Sequence, residues 1–398
     1  MSINEKMYEL GSKRSVIREI FEYSKKRAQE IGAENVFDFS LGNPSVPAPN
    51  CVKEAILDLL EKEEPTLLHG YTSAQGDLSV RKAIADDINK KFNVGLTPDL
   101  IYMTCGAAAS LTISLKAVLN KGEEVIAFAP YFTEYKVFVE NANGVLVKCN
   151  PEDITFQIDL EHFNSLINKN TRAVILNSPN NPSGVVYTEE TIKNVCKILE
   201  EKQKEYGKEI YLIVDEPYRE LVYGNVKVPY LMNYYDNAIV CYSFSKSLSL
   251  PGERIGYIAV NPKMSKKTEV YLSVCGAGRS LGYVCAPSLF QQVVKKTIGA
   301  TTDVKIYEEN RNILLNSLTE YGYTCVNPDG AFYLFVKALE KDANAFAEKA
   351  KKYEILVVPC DDFGVEGYVR IAYCVDKERI VNSLPAFKKL AKDYGVIK

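Results

Sequence analysis

The sequence predicts an α/β fold, with a mostly parallel sheet between helices in a large domain and a smaller α+β domain after it. Three observations carry this. Short apolar runs alternate with segments of helical spacing from about residue 101 to residue 246. Polar residues gather directly after several of those runs, where open α/β sheets place their ligands. Beyond about Pro287 the alternation gives way to a long amphipathic stretch and then to short strand-like runs interleaved with helices.

Taken in order, residues from about Ser12 to Ile31 have helical spacing, with Val16, Ile17, Ile20 and Tyr23 or Ser24 on one face. Phe37 to Leu41 alternates like a short strand and runs into a proline-stiffened loop, Gly42 to Pro49. Gly42 lacks a Cβ, so the backbone there can approach another group closely. A helix is expected from about Asn50 to Glu63, then a polar loop, His69 to Gly76, which carries Tyr71. Leu78 to Lys91 reads as a helix with Leu78, Ile84 and Ile88 inward.

Ile101 to Thr104 is a strand that enters a helix through Cys105-Gly106-Ala107-Ala108, a layout that points free backbone N–H groups at an anion. Strands follow at 125–128, 144–149, 172–177 and 209–214, with helices at 135–141, 159–167 and 189–206 between them. Behind these strands stand Pro130-Tyr131-Phe132, Asn180-Asn181-Pro182-Ser183-Gly184 and Asp215-Glu216-Pro217-Tyr218. A last buried run, Ala238 to Tyr242, ends at Ser243-Phe244-Ser245-Lys246, and Arg254 opens a further run to Val260. After Pro287 a long helix or broken pair reaches about Tyr321. Strands at 332–336, 355–358 and 368–373 then alternate with helices at 344–352 and 377–392.

A lysine at a strand end, beside hydroxyls and near an arginine, suits one chemistry. Its amine can form a Schiff base with an aldehyde while the hydroxyls and guanidinium hold an attached phosphate. Bulk composition narrows the other classes. The 398 residues are 46% hydrophobic and 25% charged with a formal net charge of -3, which gives no basic face for nucleic acid. Ten scattered cysteines without a Cys-x-x-Cys pair favour reduced thiols over a disulfide framework or zinc site. Two histidines, His69 and His162, speak against a multi-histidine metal centre or a Ser-His-Asp triad. The first residues have no apolar signal core and no run is long enough to span a bilayer, so a cytoplasmic protein is expected.

The ordered set GYTSAQG, TCGAAASL, PYF, NSPNNPSG, VDEPY, SFSKSLSLPGERIGY and YVRIAY resembles the class I/II aminotransferases of the aspartate aminotransferase superfamily, from about Val36 to Ile380. These are pyridoxal-5'-phosphate enzymes of fold type I. The resemblance implies a seven-stranded sheet in a large domain at 46–286, and a small domain built from 1–45 and 287–398. It also implies roles. Lys246 matches the Schiff-base lysine that later moves the α-proton, and Asp215 the carboxylate on the pyridine nitrogen. Tyr218 and Asn181 match the donors to the ring 3'-oxygen, and Phe132 the aromatic stacked on the ring. Ala107 and Ala108 match backbone donors to the phosphate, with Ser243, Ser245 and Arg254 completing the cup. Tyr71 matches a tyrosine that reaches the phosphate of the other subunit's cofactor, which implies a homodimer with shared sites. Arg370 matches the arginine that grips the substrate α-carboxylate, assisted by Asn181 and the Gly42 backbone.

Two departures are mild: the phosphate loop lacks a hydroxyl residue found in some relatives, and the NPSG turn has serine where threonine is commoner. A third bears on substrate. No arginine matches the one that reads a side-chain carboxylate in dicarboxylate-specific members, and Arg279 lies in that region without aligning. The expected reaction is ping-pong transfer of an amino group between an L-amino acid and a 2-oxo acid. A carbon–sulfur β-lyase on the same scaffold would share the lysine, aspartate, tyrosine and arginine. A ligand-sensing domain of a transcription regulator is disfavoured, because only about 35 residues precede the first strand, few for a DNA-binding module.

Overall fold

A computed structural model describes residues 2–12 and 16–397. The strands are β1 (Phe37–Asp38), β2 (Ile101–Thr104), β3 (Glu124–Phe128), β4 (Val145–Cys149), β5 (Thr171–Asn177), β6 (Tyr211–Asp215), β7 (Ala238–Ser243), β8 (Gly256–Val260), β9 (Cys325–Val326), β10 (Tyr333–Lys337), β11 (Ile355–Leu356), β12 (Val358–Pro359) and β13 (Tyr368–Ala372). The main sheet has seven strands in the order β2-β8-β7-β6-β5-β3-β4. Only β8 runs against its neighbours. The fold is therefore the mostly parallel α/β arrangement that the alternation predicts.

The strands are continuous apolar runs because helices cover both faces of a parallel sheet. Every residue of β2, β6, β7 and β8 is buried. A second sheet, β12-β13-β10-β9, packs its own apolar cluster with Phe39, Val46, Leu314, Leu318, Phe346 and Phe387. No helix among the described residues is long and apolar enough to cross a membrane, and all ten cysteines are free thiols.

Several elements differ from expectation. A helix at Glu5–Ser12 precedes the expected one, residues 13–15 of the expected helix lie outside the described ones, and its remainder is the helix Val16–Ile31. Ile20 and Ser24 are its buried residues, while Tyr23 faces out. Leu78 is 59% exposed rather than inward. It opens the helix Leu78–Phe92 just after the capping Asp77, and the buried face is carried by Val80, Ile84 and Ile88. The run 355–358 splits, because Ile355–Leu356 pairs with β1 and Val358–Pro359 pairs with β13. After Pro287 the broken pair is the right alternative, as helices Ser288–Lys296 and Val304–Glu320. A helix at Lys267–Leu281 has no counterpart in the sequence reading. Its glycines, Gly276 and Gly278, argue against a helix by propensity, yet Gly278 sits where the helix meets the Tyr102 ring.

Candidate active site

The parallel strands end along one edge of the main sheet, and the chain leaves several of them with a polar residue. Asp215 is the last residue of β6, and Asn177, at the end of β5, pairs with it in register. The register Ser243↔Gly256 places the start of antiparallel β8, and Arg254 just before it, at the same edge. The result is a cleft of about 390 Å³. Gly42, Ala107, Ala108, Phe132, Asn181, Asp215, Tyr218, Ser243, Ser245, Lys246, Arg254 and Arg370 all line it.

At one end the backbone could seat an anion. The helix Ala107–Val118 begins at Gly106, with φ +89° and no side-chain cap, so its first N–H groups are left open to the cleft. A Cβ at Gly106 would lie 2.8 Å from Arg254 Nη2, so only glycine fits beside that guanidinium. Arg254 is held by donating to the carbonyls of Pro251 (2.8 Å) and Cys105 (3.2 Å). The Ser243 and Ser245 hydroxyls lie 2.7 Å apart within the same seat.

The floor carries a buried carboxylate. Tyr135 donates to Asp215 Oδ2 at 2.6 Å, while Asp215 Oδ1 has no hydrogen-bond partner among the described residues. Burial raises the Asp215 carboxyl to about 6, against the opposing pull of the Tyr135 bond. A buried charged acceptor without a partner is costly, so this atom could take a donor that the described residues do not supply.

Lys246 enters from the short helix Phe244–Ser247 that Ser243 caps. Its Nζ donates to the Gly42 carbonyl at 2.6 Å. Burial lowers its amine to about 8. The close approach expected at Gly42 is real but internal, because a Cβ there would fall 2.0 Å from the Tyr333 hydroxyl.

Arg370 comes from the second sheet. In β13 it pairs with Phe335 of β10, so it shares a face with Phe335 and Tyr333. It is 2% exposed. Its guanidinium lies 4.6 Å from the Tyr333 ring centroid, and donates to Asn181 Oδ1 (3.1 Å) and the Ser40 carbonyl (2.6 Å). Its Nε is buried and has no hydrogen-bond partner among the described residues. Asn181 is thus oriented by Arg370 from one side, and its backbone N–H donates to Asn177 Oδ1 from the other (2.7 Å).

Two candidates are not in this cleft. Tyr71 is 98% exposed, and Arg279 lies exposed on the helix Lys267–Leu281. Three contributors had no sequence signal as site residues. Tyr333 donates to or accepts from Tyr218 at 3.0 Å. Tyr135 reads as the start of a helix, and its partner Asp215 lies far along the chain. Glu134 lines the cleft as the first residue of that helix. The alternation of Tyr333, Leu334 and Phe335 could have placed Tyr333 on the Arg370 face, had the pairing of the two strands been known.

A family model described as aminotransferase class I and II matches residues 34–386. The chain belongs to that family. It is a transaminase, and the family to which it belongs uses pyridoxal 5'-phosphate. The solved structure of an amino transferase from Eubacterium rectale is 56% identical, covers 99% of each chain and superposes with a TM-score of 0.97. A probable aspartate/prephenate aminotransferase of Aquifex aeolicus is 29% identical, covering 92% of this chain and 94% of the relative. An aromatic-amino-acid aminotransferase of Thermococcus litoralis is 28% identical, covering 96% and 97%. The transaminase therefore has relatives whose names point to acidic as well as aromatic amino acids.

Proposed function

We propose that this aminotransferase holds pyridoxal 5'-phosphate in the cleft and moves an amino group between an L-amino acid and a 2-oxo acid by a ping-pong route, with Lys246 as the attachment and proton-transfer residue. The observation that carries the reading is the unpartnered, buried Asp215 Oδ1. A protonated pyridine nitrogen would give it the cationic donor it lacks, and in return the carboxylate would hold that proton on the ring. The residues fit the rest of the group. Gly106 and the N–H groups of Ala107 and Ala108, with Ser243, Ser245 and Arg254, would hold the phosphate. Phe132 would cover the ring face. Tyr218 and Asn181 would donate to the ring oxygen, and burial keeps the Tyr218 phenol protonated well above its ordinary range.

When bound, the cofactor supplies an electron sink for the substrate α-carbon. The chain supplies the rest. Arg370 would take both oxygens of the α-carboxylate, with the Gly42 backbone alongside, and so fix the Cα–H bond in reach of Lys246. The Lys246 amine, already depressed by burial, is poised to take and return that proton near neutral pH. Residues 46–286 would form the cofactor-binding domain, and residues 1–45 with 287–398 the domain that brings Arg370. The same reading puts the free-thiol protein in the cytoplasm.

Borohydride reduction of the purified enzyme followed by peptide mapping should place the pyridoxyl label on Lys246. A label on any other lysine would sink this reading.

The exposed Tyr71 supports a shared site, since a tyrosine so placed can serve only another copy or solvent. Mixing inactive Tyr71→Ala and Lys246→Ala proteins should give hybrid dimers with one intact site and recovered activity. A fully active monomer would refute the shared site.

A further inference from the structure

We infer that Tyr333 is a positioning residue for this transaminase: its hydroxyl donates to the phenol oxygen of Tyr218, and so aims and strengthens the bond that Tyr218 gives to the cofactor ring oxygen. The inference rests on the reading of Tyr218 as a donor to that oxygen.

The two hydroxyls lie 3.0 Å apart, and both side chains are buried within one chain. They come from distant elements, Tyr218 just after β6 and Tyr333 at the start of β10. Burial keeps both phenols protonated, above their ordinary range. The pair therefore holds two protons. With the Tyr218 proton directed at the ring oxygen, the proton between the two phenols must be that of Tyr333. A hydroxyl that accepts a hydrogen bond becomes a better donor, because each bond in a chain polarises the next. Accepting from Tyr333 also fixes the direction in which the Tyr218 hydroxyl gives its own proton.

The surroundings hold Tyr333 in place for this. Its backbone pairs with Ala372 of β13. Its ring lies 4.6 Å from the Arg370 guanidinium and stands edge-on to the Tyr218 ring, with centroids 5.8 Å apart and an interplanar angle of 80°. Gly42 leaves room for the hydroxyl, since a Cβ there would fall 2.0 Å from it. A phenylalanine would fill the same ring site, whereas a buried hydroxyl is costly unless it is bonded. The Tyr218 contact is the bond that satisfies it.

The test uses the holoenzyme and reads the pH midpoint of the cofactor's absorbance change. Hydrogen bonds to the ring oxygen favour its charged form, so weakening them raises the midpoint. Tyr333→Phe should raise it by about 0.5–1 pH unit, the worth of one neutral hydrogen bond. Tyr218→Phe should raise it by about 1–2 pH units, the worth of a bond to a charged group. In the Tyr218→Phe background, Tyr333→Phe should add nothing. Tyr333→3-fluorotyrosine keeps the ring and donates more strongly, so it should lower the midpoint, and it decides the matter if the phenylalanine variant does not fold. An unmoved midpoint in both position-333 variants, or an equal shift from Tyr333→Phe in both backgrounds, would overturn the role of Tyr333 alone. An unmoved midpoint in Tyr218→Phe would overturn the placing of Tyr218 on the ring oxygen, and the inference with it.

Discussion

Replacing Lys246 by alanine is expected to lower kcat for amino transfer by about four orders of magnitude, the upper end of what a positioned general base supplies. The phenols and the floor carboxylate of the cleft do not substitute. The phenols of Tyr218 and Tyr333 are held well above and above their ordinary range by burial. Asp215 is turned to Tyr135 on the floor. Small exogenous amines should restore part of the rate, because the cavity left by the lysine stem opens towards the same proton. A variant retaining more than about a tenth of parental activity would be incompatible with proton transfer by Lys246.

Loss of activity through unfolding is separable by pH. The folded amine titrates near 8, whereas an unfolded lysine titrates near about 10.4. Below pH 8 both states are protonated, and the folded state carries the cost of a buried charge. Between the two values the unfolded chain holds the extra proton, so stability rises with pH. Lys246→Met, which keeps the apolar stem, should therefore stabilise the cofactor-free protein at pH 7. That advantage should shrink as pH rises from about 8 towards about 10.4. Thermal melts across this window give the check.

Arg370→Lys is expected to cost on the order of 2–4 kcal/mol of transition-state stabilisation, as for truncating one partner of a buried, hydrogen-bonded charge pair. The native guanidinium satisfies Asn181 and Ser40 at once, lies over the Tyr333 ring and keeps Nε free. A lysine ammonium offers a point charge in place of that planar fork and cannot match a carboxylate in two places. Cofactor affinity should survive, since the anion seat and Asp215 belong to the main sheet. Titration of parent and variant with an amino acid, followed by cofactor absorbance, should give a lower kcat/KM at unchanged cofactor content. Equal catalytic efficiency would place Arg370 outside the substrate site.

Much of this was legible before any coordinates. The alternation from Ile101 to Lys246 is a property of local sequence. Strand ends in a parallel sheet share one edge, so polar residues placed after them must meet. That is why Asn181, Asp215, Ser243 and Lys246 could be grouped from their positions alone. Arg370 was harder. A mid-strand arginine is ordinarily solvated, and only its motif marked it out.

Other features depend on contacts between distant segments, which no local pattern encodes. Tyr135 and Asp215 meet only because the helix Glu134–Asn141, which follows β3, reaches the end of β6 across the same sheet, and the free Asp215 Oδ1 follows from that one-sided bond. The helix Lys267–Leu281 forms against its own glycines because Gly278 packs on Tyr102, a tertiary gain that outweighs propensity. The face shared by Tyr333 and Arg370 depends on strand register, which is set by pairing across the second sheet. By itself, then, the sequence determined the α/β class, the lysine and the edge at which chemistry collects, because periodicity and strand ends are local. Only the tertiary structure decided which buried atoms there stay unpaired among the described residues, Asp215 Oδ1 and Arg370 Nε. Hydrogen-bond satisfaction is a property of the whole packed chain.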